Sequence, residues 1–257
     1  MKTVICYLSG TGNSLAVAKG LANGLDGEVE LLSVTGRNRS TQVRVSTDRL
    51  GLVFPVQFLS VPEVVRNFVR SMDCQAQPYI FAVATCNAVP GHTLYTMKRL
   101  LKQRGLLMAV GFTVDMPGNI MMNPETVQNE RLQASKTKIS QIVQAICEGR
   151  SGVIQGSNAW KWYIEGRLMG TMTKLSLPTE KRFRVNDNCK KCGLCRKVCP
   201  TMNIRIDPQK GPVWGRKCAF CMACFHWCPE HAIVMNSDKI ELQQYHHPEV
   251  RADEITR

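Results

Sequence analysis

Eight of the twelve cysteines in this 257-residue chain lie in the stretch from Cys189 to Cys228. They form two runs, Cys189-x2-Cys192-x2-Cys195-x3-Cys199-Pro200 and Cys218-x2-Cys221-x2-Cys224-x3-Cys228-Pro229. Because the runs share one spacing and are offset by 29 residues, the segment is an internal repeat. Thiols that are dense and regularly spaced in one part of a chain indicate metal ligands rather than a disulfide framework.

The spacing also predicts how the thiols are shared between two metal clusters. Three cysteines at this interval can ligate three irons of one [4Fe–4S] cubane, whereas the fourth, before proline, reaches the neighbouring cubane. The predicted ligands are Cys189, Cys192, Cys195 and Cys228 for the first cluster, and Cys218, Cys221, Cys224 and Cys199 for the second. Structural zinc is the alternative, but it usually takes two separated cysteine pairs and does not need the third cysteine or the proline.

A second candidate site follows the first apolar segment, where residues 3–8 lead into the loop Ser9-Gly10-Thr11-Gly12-Asn13-Ser14. A strand, a tight hydroxyl-rich loop and a helix N-terminus together form an anion site, because N–H groups and the helix dipole face the anion. The loop has neither the lysine of a Walker motif nor the glycine pattern of a Rossmann fingerprint. On these residues alone, an ordinary strand–turn–helix with a capping side chain also stays open.

Strands and helices alternate over the first 150 residues. Strands are predicted at 3–8, 28–34, 50–56, 79–85 and 106–114, and helices at 15–25, 62–69, 93–104 and 126–147. This alternation predicts an α/β fold with a doubly wound, parallel five-stranded sheet of order 2-1-3-4-5. Residues 35–48 are polar without helical periodicity, so the helix between the second and third strands is expected to be reduced.

These features resemble known families. The loop at 9–14 is similar to the flavodoxin loop that binds the FMN phosphate, and residues 183–240 resemble the bacterial two-cluster ferredoxin domain. The whole chain resembles the flavodoxin–ferredoxin fusion proteins of anaerobic bacteria and archaea. The resemblance implies a flavodoxin-like domain at 1–150, a linker with an amphipathic helix at 151–182, a small α+β ferredoxin domain at 183–240, and a polar tail at 241–257.

The same resemblance implies where FMN binds, at the carboxyl ends of the strands. The implied phosphate ligands are Ser9, Gly10, Thr11, Gly12, Asn13 and Ser14, and the implied ring contacts are Pro55, Gln57, Phe58, Thr85, Cys86 and Asn87. Met116 and Asn119 lie at the same end and either line the site or belong to a plain loop. Residues 85–91 contain no aromatic side chain. We therefore expect one ring face to be open, or to be covered by the second domain, or FMN binding to be weak.

The net charge gives an expectation about partners. The formal charge is +13, and eleven basic residues but two acidic ones occur from Lys181 to Lys217. A redox partner with an acidic docking face is therefore expected. Nucleic acid is disfavoured because no recognised binding motif is present. The helical pattern at 159–175 favours packing between domains, although peripheral contact with an anionic membrane stays open. His226, His246 and His247 are predicted not to bind metal, with His226 near the clusters or exposed.

The resemblance and the motifs together predict an electron-transfer protein that uses two [4Fe–4S] clusters and FMN in low-potential anaerobic metabolism. A flavin-dependent reductase of a small molecule or corrinoid, and a non-catalytic redox or oxygen sensor, are the alternatives. No residue stands out as a general acid or base, so an electron carrier is favoured over a substrate-specific enzyme. No apolar run approaches the ~20 residues that span a bilayer, and a cytoplasmic location is expected.

Overall fold

A five-stranded parallel sheet forms the centre of the first domain, with strand order β2-β1-β3-β4-β5. The computed structural model describes residues 1–35, 47–74, 77–176, 181–235 and 243–255, without the side chains of 173–176. The strands are β1 Lys2–Tyr7, β2 Glu28–Ser33, β3 Arg49–Pro55, β4 Tyr79–Cys86 and β5 Met108–Asp115. The central strands are near-continuous apolar runs because both of their faces are covered. The sheet order confirms the predicted flavodoxin-like fold.

Helices cover both faces of this sheet. They are α1 Asn13–Gly24, α2 Glu63–Ser71, α3 Thr93–Gln103 and α4 Glu125–Cys147. Alternate residues of each strand point to opposite faces, so Ile5 and Tyr7 pack with α1 and α4 while Val4 and Cys6 pack with α2 and α3. Each predicted strand and helix of this domain is found within two residues of its expected bounds. Most of the polar stretch between β2 and β3 lies outside the described residues.

In its described residues, the second domain has two small antiparallel strand pairs and two short helices. Its elements are β6 Phe183–Val185, α6 Leu194–Val198, β7 Ile204–Asp207, β8 Gly211–Trp214, α7 Ala223–His226 and β9 Ile233–Met235. Strand β6 pairs with β9, and β7 pairs with β8. Since each short helix contains the third cysteine of its run, the helices set the positions of the thiols in both halves.

The predicted linker helix is present as α5 Trp160–Ser176. It packs on the loop after β3, where a Cβ atom at Gly166 would lie 2.6 Å from the carbonyl oxygen of Phe58. Its other face exposes apolar side chains, among them Trp160 and Leu168. Within the described ranges, no helix has the length and apolar character needed to cross a membrane.

The C-terminal segment packs onto the fold and ends in the short helix α8 Ala252–Ile255. Although its composition is polar, Tyr245, Val250 and Ile255 are buried. Val250 and Ile255 belong to the same apolar cluster as α1 and α4. Lys19 and Glu254 form an ion pair that joins this segment to α1.

Candidate functional site

The first set of repeat thiols surrounds a shared cavity in the second domain. Cys189, Cys192, Cys195 and Cys228 all line it, together with apolar side chains such as Ile206 and Ile233. The pKa of Cys195 is raised to about 11, mainly by burial and to a smaller extent by the three other thiols of the set. The spacing of the sequence therefore predicts the same four cysteines that the fold brings together.

The second set lies deeper. Burial raises the pKa of Cys221 to about 12, and Cys199 and Cys218 add to the effect. Burial also raises the pKa of Cys224 well above its usual value, with contributions from the same neighbouring thiols. A metal centre would hold these thiols as thiolates, because ligation requires the deprotonated sulfur.

Equivalent backbone groups approach the sulfur atoms in both halves of the repeat. The amide of Asn203 donates to Cys199 Sγ at 3.3 Å, and that of Ala232 donates to Cys228 Sγ at 3.4 Å. These donors favour the thiolate form that a metal requires. The indole nitrogen of Trp214 is buried without a hydrogen-bond partner in the described part of the chain, yet it lies close enough to Cys224 to lower its pKa. A sulfur-rich centre would supply an acceptor there.

In the described ranges, no group of three or more His, Cys, Asp or Glu side chains is arranged to hold one metal ion. The four thiols of the first set instead line one cavity.

Unusual backbone conformations recur at matching repeat positions. Lys191 and Phe220 have φ angles of 56° and 53°, Gly193 and Met222 of 78° and 62°, and Met202 and His231 of 51° and 48°. Members of each pair are 29 residues apart. Positive φ is uncommon for residues other than glycine. Its recurrence means that both halves wrap their thiols along the same backbone path.

The loop at 9–14 joins the carboxyl ends of three strands. Ser9, Thr11, Asn13 and Ser14 are buried. The hydroxyl of Ser14 lies 2.8 Å from that of Thr85, at the end of β4, and the Asn13 side-chain amide donates to the Pro117 carbonyl at 3.0 Å. Gly12 adopts a φ of 95° before α1, and no described side chain caps that helix. Its first-turn N–H groups therefore remain suited to an anion.

The predicted ring-contact residues lie beside this loop. Pro55 pairs with Thr85 across β3 and β4. Gln57 and Ser60 exchange backbone hydrogen bonds of 2.9 and 3.0 Å, which places Phe58 at the tip of a tight turn with a φ of 49°. The Cys86 thiol donates to Asp115 Oδ1 at 3.3 Å. Burial, then the Asp115 charge, raises the pKa of Cys86, so its thiol stays protonated at neutral pH.

Two arginines that the sequence analysis did not identify support these sites. Arg131 donates to the Asn87 side chain and to the Met116 carbonyl, which fixes the loops after β4 and β5. Arg182 is 2% exposed, and its guanidinium carbon lies 5.0 Å from the ring centroid of Phe220. It also hydrogen bonds the Cys218 thiol and lowers its pKa, although burial raises that pKa more. A basic residue that is buried beside a ligand cysteine would identify Arg182 as part of the site. The sequence alone does not show which basic residues are buried.

The second domain covers the flavin-type loops. The Trp227 indole donates to the Gly10 carbonyl at 2.8 Å. A Cβ atom at Gly10 would lie 2.5 Å from the Cys221 carbonyl oxygen, so only glycine permits this approach. Gln57 donates to the Ala219 and Phe220 carbonyls at 2.5 and 3.2 Å.

Phe220 lies over the tip of the loop after β3. Its ring is nearly parallel to that of Phe58, at a centroid distance of 5.9 Å. The second domain thus contacts a residue that the resemblance assigns to the ring site.

The C-terminal segment closes the same loop from another side. Tyr245 Oη donates to Asn13 Oδ1 at 2.7 Å, and the His247 amide donates to the Thr11 carbonyl at 2.8 Å. His226 is buried rather than exposed, because its Nε2 meets the Asn119 carbonyl at 2.8 Å and its Nδ1 accepts the Tyr245 amide at 3.0 Å. Burial lowers the pKa of His226 to about 4, so the ring is neutral at pH 7.

Comparison with known proteins gives one family match and several similar solved structures. The family described as the 4Fe-4S dicluster domain matches residues 180–233. No curated protein sequence matches the chain at a significant level. Similar solved structures include oxidised flavodoxin 1 from Bacillus cereus, at 16% identity over 56% of this chain and 98% of that chain, with a TM-score of 0.37.

Another similar structure is the rubredoxin oxygen:oxidoreductase of Desulfovibrio gigas, at 15% identity over 56% of this chain and 36% of that chain, with a TM-score of 0.34. Because both TM-scores are below 0.5, we assign the fold from the strand order of the sheet. The chain joins a flavodoxin-like domain to a 4Fe-4S dicluster domain, which is the composition of an electron-transfer redox protein.

Proposed function

We propose that the chain is a cytoplasmic electron-transfer protein of low-potential anaerobic metabolism, of the flavodoxin–ferredoxin fusion type, that carries two [4Fe–4S] clusters and one FMN. The observation that carries the proposal is the contact between the second thiol set and the loop at 9–14, where the Cys221 carbonyl lies against Gly10. When bound, the clusters supply one-electron chemistry and FMN supplies one- and two-electron chemistry. The chain would thus connect one-electron and two-electron partners.

The cysteines would hold the clusters as thiolates in the two sets already described. Ligation requires the thiolate form, so binding of the clusters would release the thiol protons. The backbone amides of Asn203, Phe220 and Ala232 donate to ligand sulfurs at 3.3 to 3.4 Å and would orient them. Hydrogen bonds of this kind also tune a cluster's potential.

The loop at 9–14 fits a phosphate monoester. Its hydroxyls and the N–H groups at the start of α1 are the donors that such an anion needs, and the absence of a capping side chain among the described residues leaves those N–H groups for it. The FMN ring would lie beside Gln57, Phe58 and residues 85–87. Phe220 would shield it from the side of the second domain, since it stacks on Phe58.

This cover favours electron transfer over the two alternatives. A reductase of a small molecule needs an open approach to the ring, whereas Phe220 of the second domain lies against Phe58, one of the implied ring contacts. A sensor needs a conformational response, and no feature of the described residues specifically favours one.

The test is cofactor content after strictly anaerobic purification. We expect about eight irons and eight sulfides per chain, as two cubanes require, and about one FMN released on denaturation. Cys192→Ser should lose the first cluster and keep the second in EPR spectra. Cys147→Ser, an exposed thiol outside the repeat, is the matched control and should keep both. A protein that binds zinc instead of iron, or that takes up no flavin after reconstitution, would contradict the corresponding half of the proposal.

A further inference from the structure

The two thiol sets have different surroundings. The second set touches the first domain through Cys221 and its neighbours. By contrast, every residue that lines the cavity of the first set belongs to the second domain. Cys192 in that set is exposed whereas its repeat counterpart Cys221 is half-buried, and Cys195 is half-buried whereas its counterpart Cys224 is buried. The first set therefore lies at the outer end of the protein and the second at the inner end.

The difference in surroundings is clearest in the loop between the first two cysteines of each run. Lys190 and Lys191 occupy the repeat positions of Ala219 and Phe220, and Lys191 shares the left-handed backbone of Phe220. In the second half, this loop contacts Gln57 and Phe58 of the first domain. In the first half, the same loop is exposed and carries two positive charges beside the cavity. One copy of the loop docks internally, and the other presents a cationic surface.

Further basic residues extend this surface. Lys190, Lys191, Arg196, Lys197 and Lys210 are all exposed, and we call them the basic rim. Arg196 and Lys197 lie on α6 next to Cys195, and Lys210 precedes Gly211, at which a Cβ atom would lie 3.3 Å from Cys189 Sγ. Glu230 is the acidic residue in the cavity lining.

We infer that the basic rim is the docking surface for an acidic redox protein, which exchanges electrons with this chain at the first thiol set. The inference rests on the proposed function. One electron passes per encounter, so the partner loses one electron and this protein gains one, or the reverse, and no bond or proton is exchanged. Charge of opposite sign accelerates and orients such an encounter, and redox interfaces are small and sensitive to salt.

The test compares two charge reversals of equal size. Lys190→Glu with Lys191→Glu alters the rim, and Lys98→Glu with Lys102→Glu alters exposed lysines on α3 of the first domain. The probe is a purified acidic plant-type ferredoxin, and its Kd is measured by titration calorimetry. At low ionic strength we expect the rim variant to weaken binding by at least about tenfold and the control by less than about threefold. The difference should shrink at high salt because exposed charges are screened.

Equal weakening in both variants, or no weakening in either, would overturn the inference. So would tighter binding of a single-stranded DNA 20-mer than of the ferredoxin, lost in the rim variant, because the rim would then serve nucleic acid. Iron, sulfide and the EPR signals of both clusters are recorded for every variant. Missing clusters in the wild-type protein would contradict the proposed function, whereas intact clusters with unchanged Kd values contradict the docking surface alone.

Discussion

Tyr245→Phe removes a single hydroxyl where the C-terminal segment meets the loop at 9–14. In the wild-type protein, Tyr245 Oη donates to Asn13 Oδ1 at 2.7 Å, and both residues are buried. The other end of the Asn13 side chain donates to the Pro117 carbonyl at 3.0 Å. Burial raises the pKa of Tyr245 above its usual value, so the hydroxyl stays protonated and keeps donating throughout the neutral range.

The magnitude follows from the group that loses its partner. The substitution leaves the buried Asn13 Oδ1 without this donor, which costs about 1–3 kcal/mol. Because each 1.4 kcal/mol corresponds to about tenfold in an equilibrium constant, the C-terminal segment should open roughly 5- to 150-fold more often. The substitution should lower the free energy of local opening, because the bond joins the C-terminal segment to the rest of the fold.

Hydrogen exchange of the segment 243–255, followed by mass spectrometry, measures this opening. Two of its amides are informative, because those of Tyr245 and His247 donate to His226 Nδ1 and to the Thr11 carbonyl. Tyr79→Phe is the matched control, as its hydroxyl donates to the Arg150 carbonyl at 2.6 Å in an exposed position. Unchanged exchange in Tyr245→Phe, or an equal increase in both variants, would refute the claim that this bond holds the segment closed.

Three further substitutions test other contacts. Arg182→Met should lower the reduction potential of the second cluster and leave that of the first unchanged in EPR redox titrations, because a buried cation stabilises the reduced form. The lowered pKa of His226 means that the unfolded state binds its proton first, so the free energy of unfolding should fall by about 1–3 kcal/mol as pH drops from about 6.5 to 4. Denaturant titrations of wild type and His226→Gln, with a flatter pH profile in the variant, check this. Gly10→Ala should lower the thermal midpoint and flavin retention through its clash with Cys221, whereas Gly170→Ala, with ordinary contacts, should not.

The sequence was sufficient for the parts of the structure that depend on local patterns. Buried parallel strands such as β4 are unbroken apolar runs, and so their positions are predicted within two residues. The spacing of the first run also predicts the four thiols that line one cavity. The helical spacing of apolar residues at 159–175 likewise predicts α5.

The docking of the domains could not be predicted in the same way. Trp227 and Gly10 are 217 residues apart, and Tyr245 and Asn13 are 232 apart. No local pattern encodes such pairs. His226 illustrates the consequence, since a histidine between two ligand cysteines is expected near the clusters or in solvent. It is buried instead, because one ring nitrogen meets the first domain and the other meets the C-terminal segment.

Burial of the loop at 9–14 also constrains how a ligand reaches it. Trp227 and Cys221 lie against Gly10 from the second domain, while His247 and Val250 lie against Gly12 from the C-terminal segment. A phosphate-bearing ligand can reach the loop when one of these covers opens. The C-terminal segment is the smaller of the two covers. Opening of this segment therefore offers the less costly route, and Tyr245→Phe should accelerate flavin release in parallel with hydrogen exchange. Faster exchange with unchanged release would assign the route to movement of the second domain.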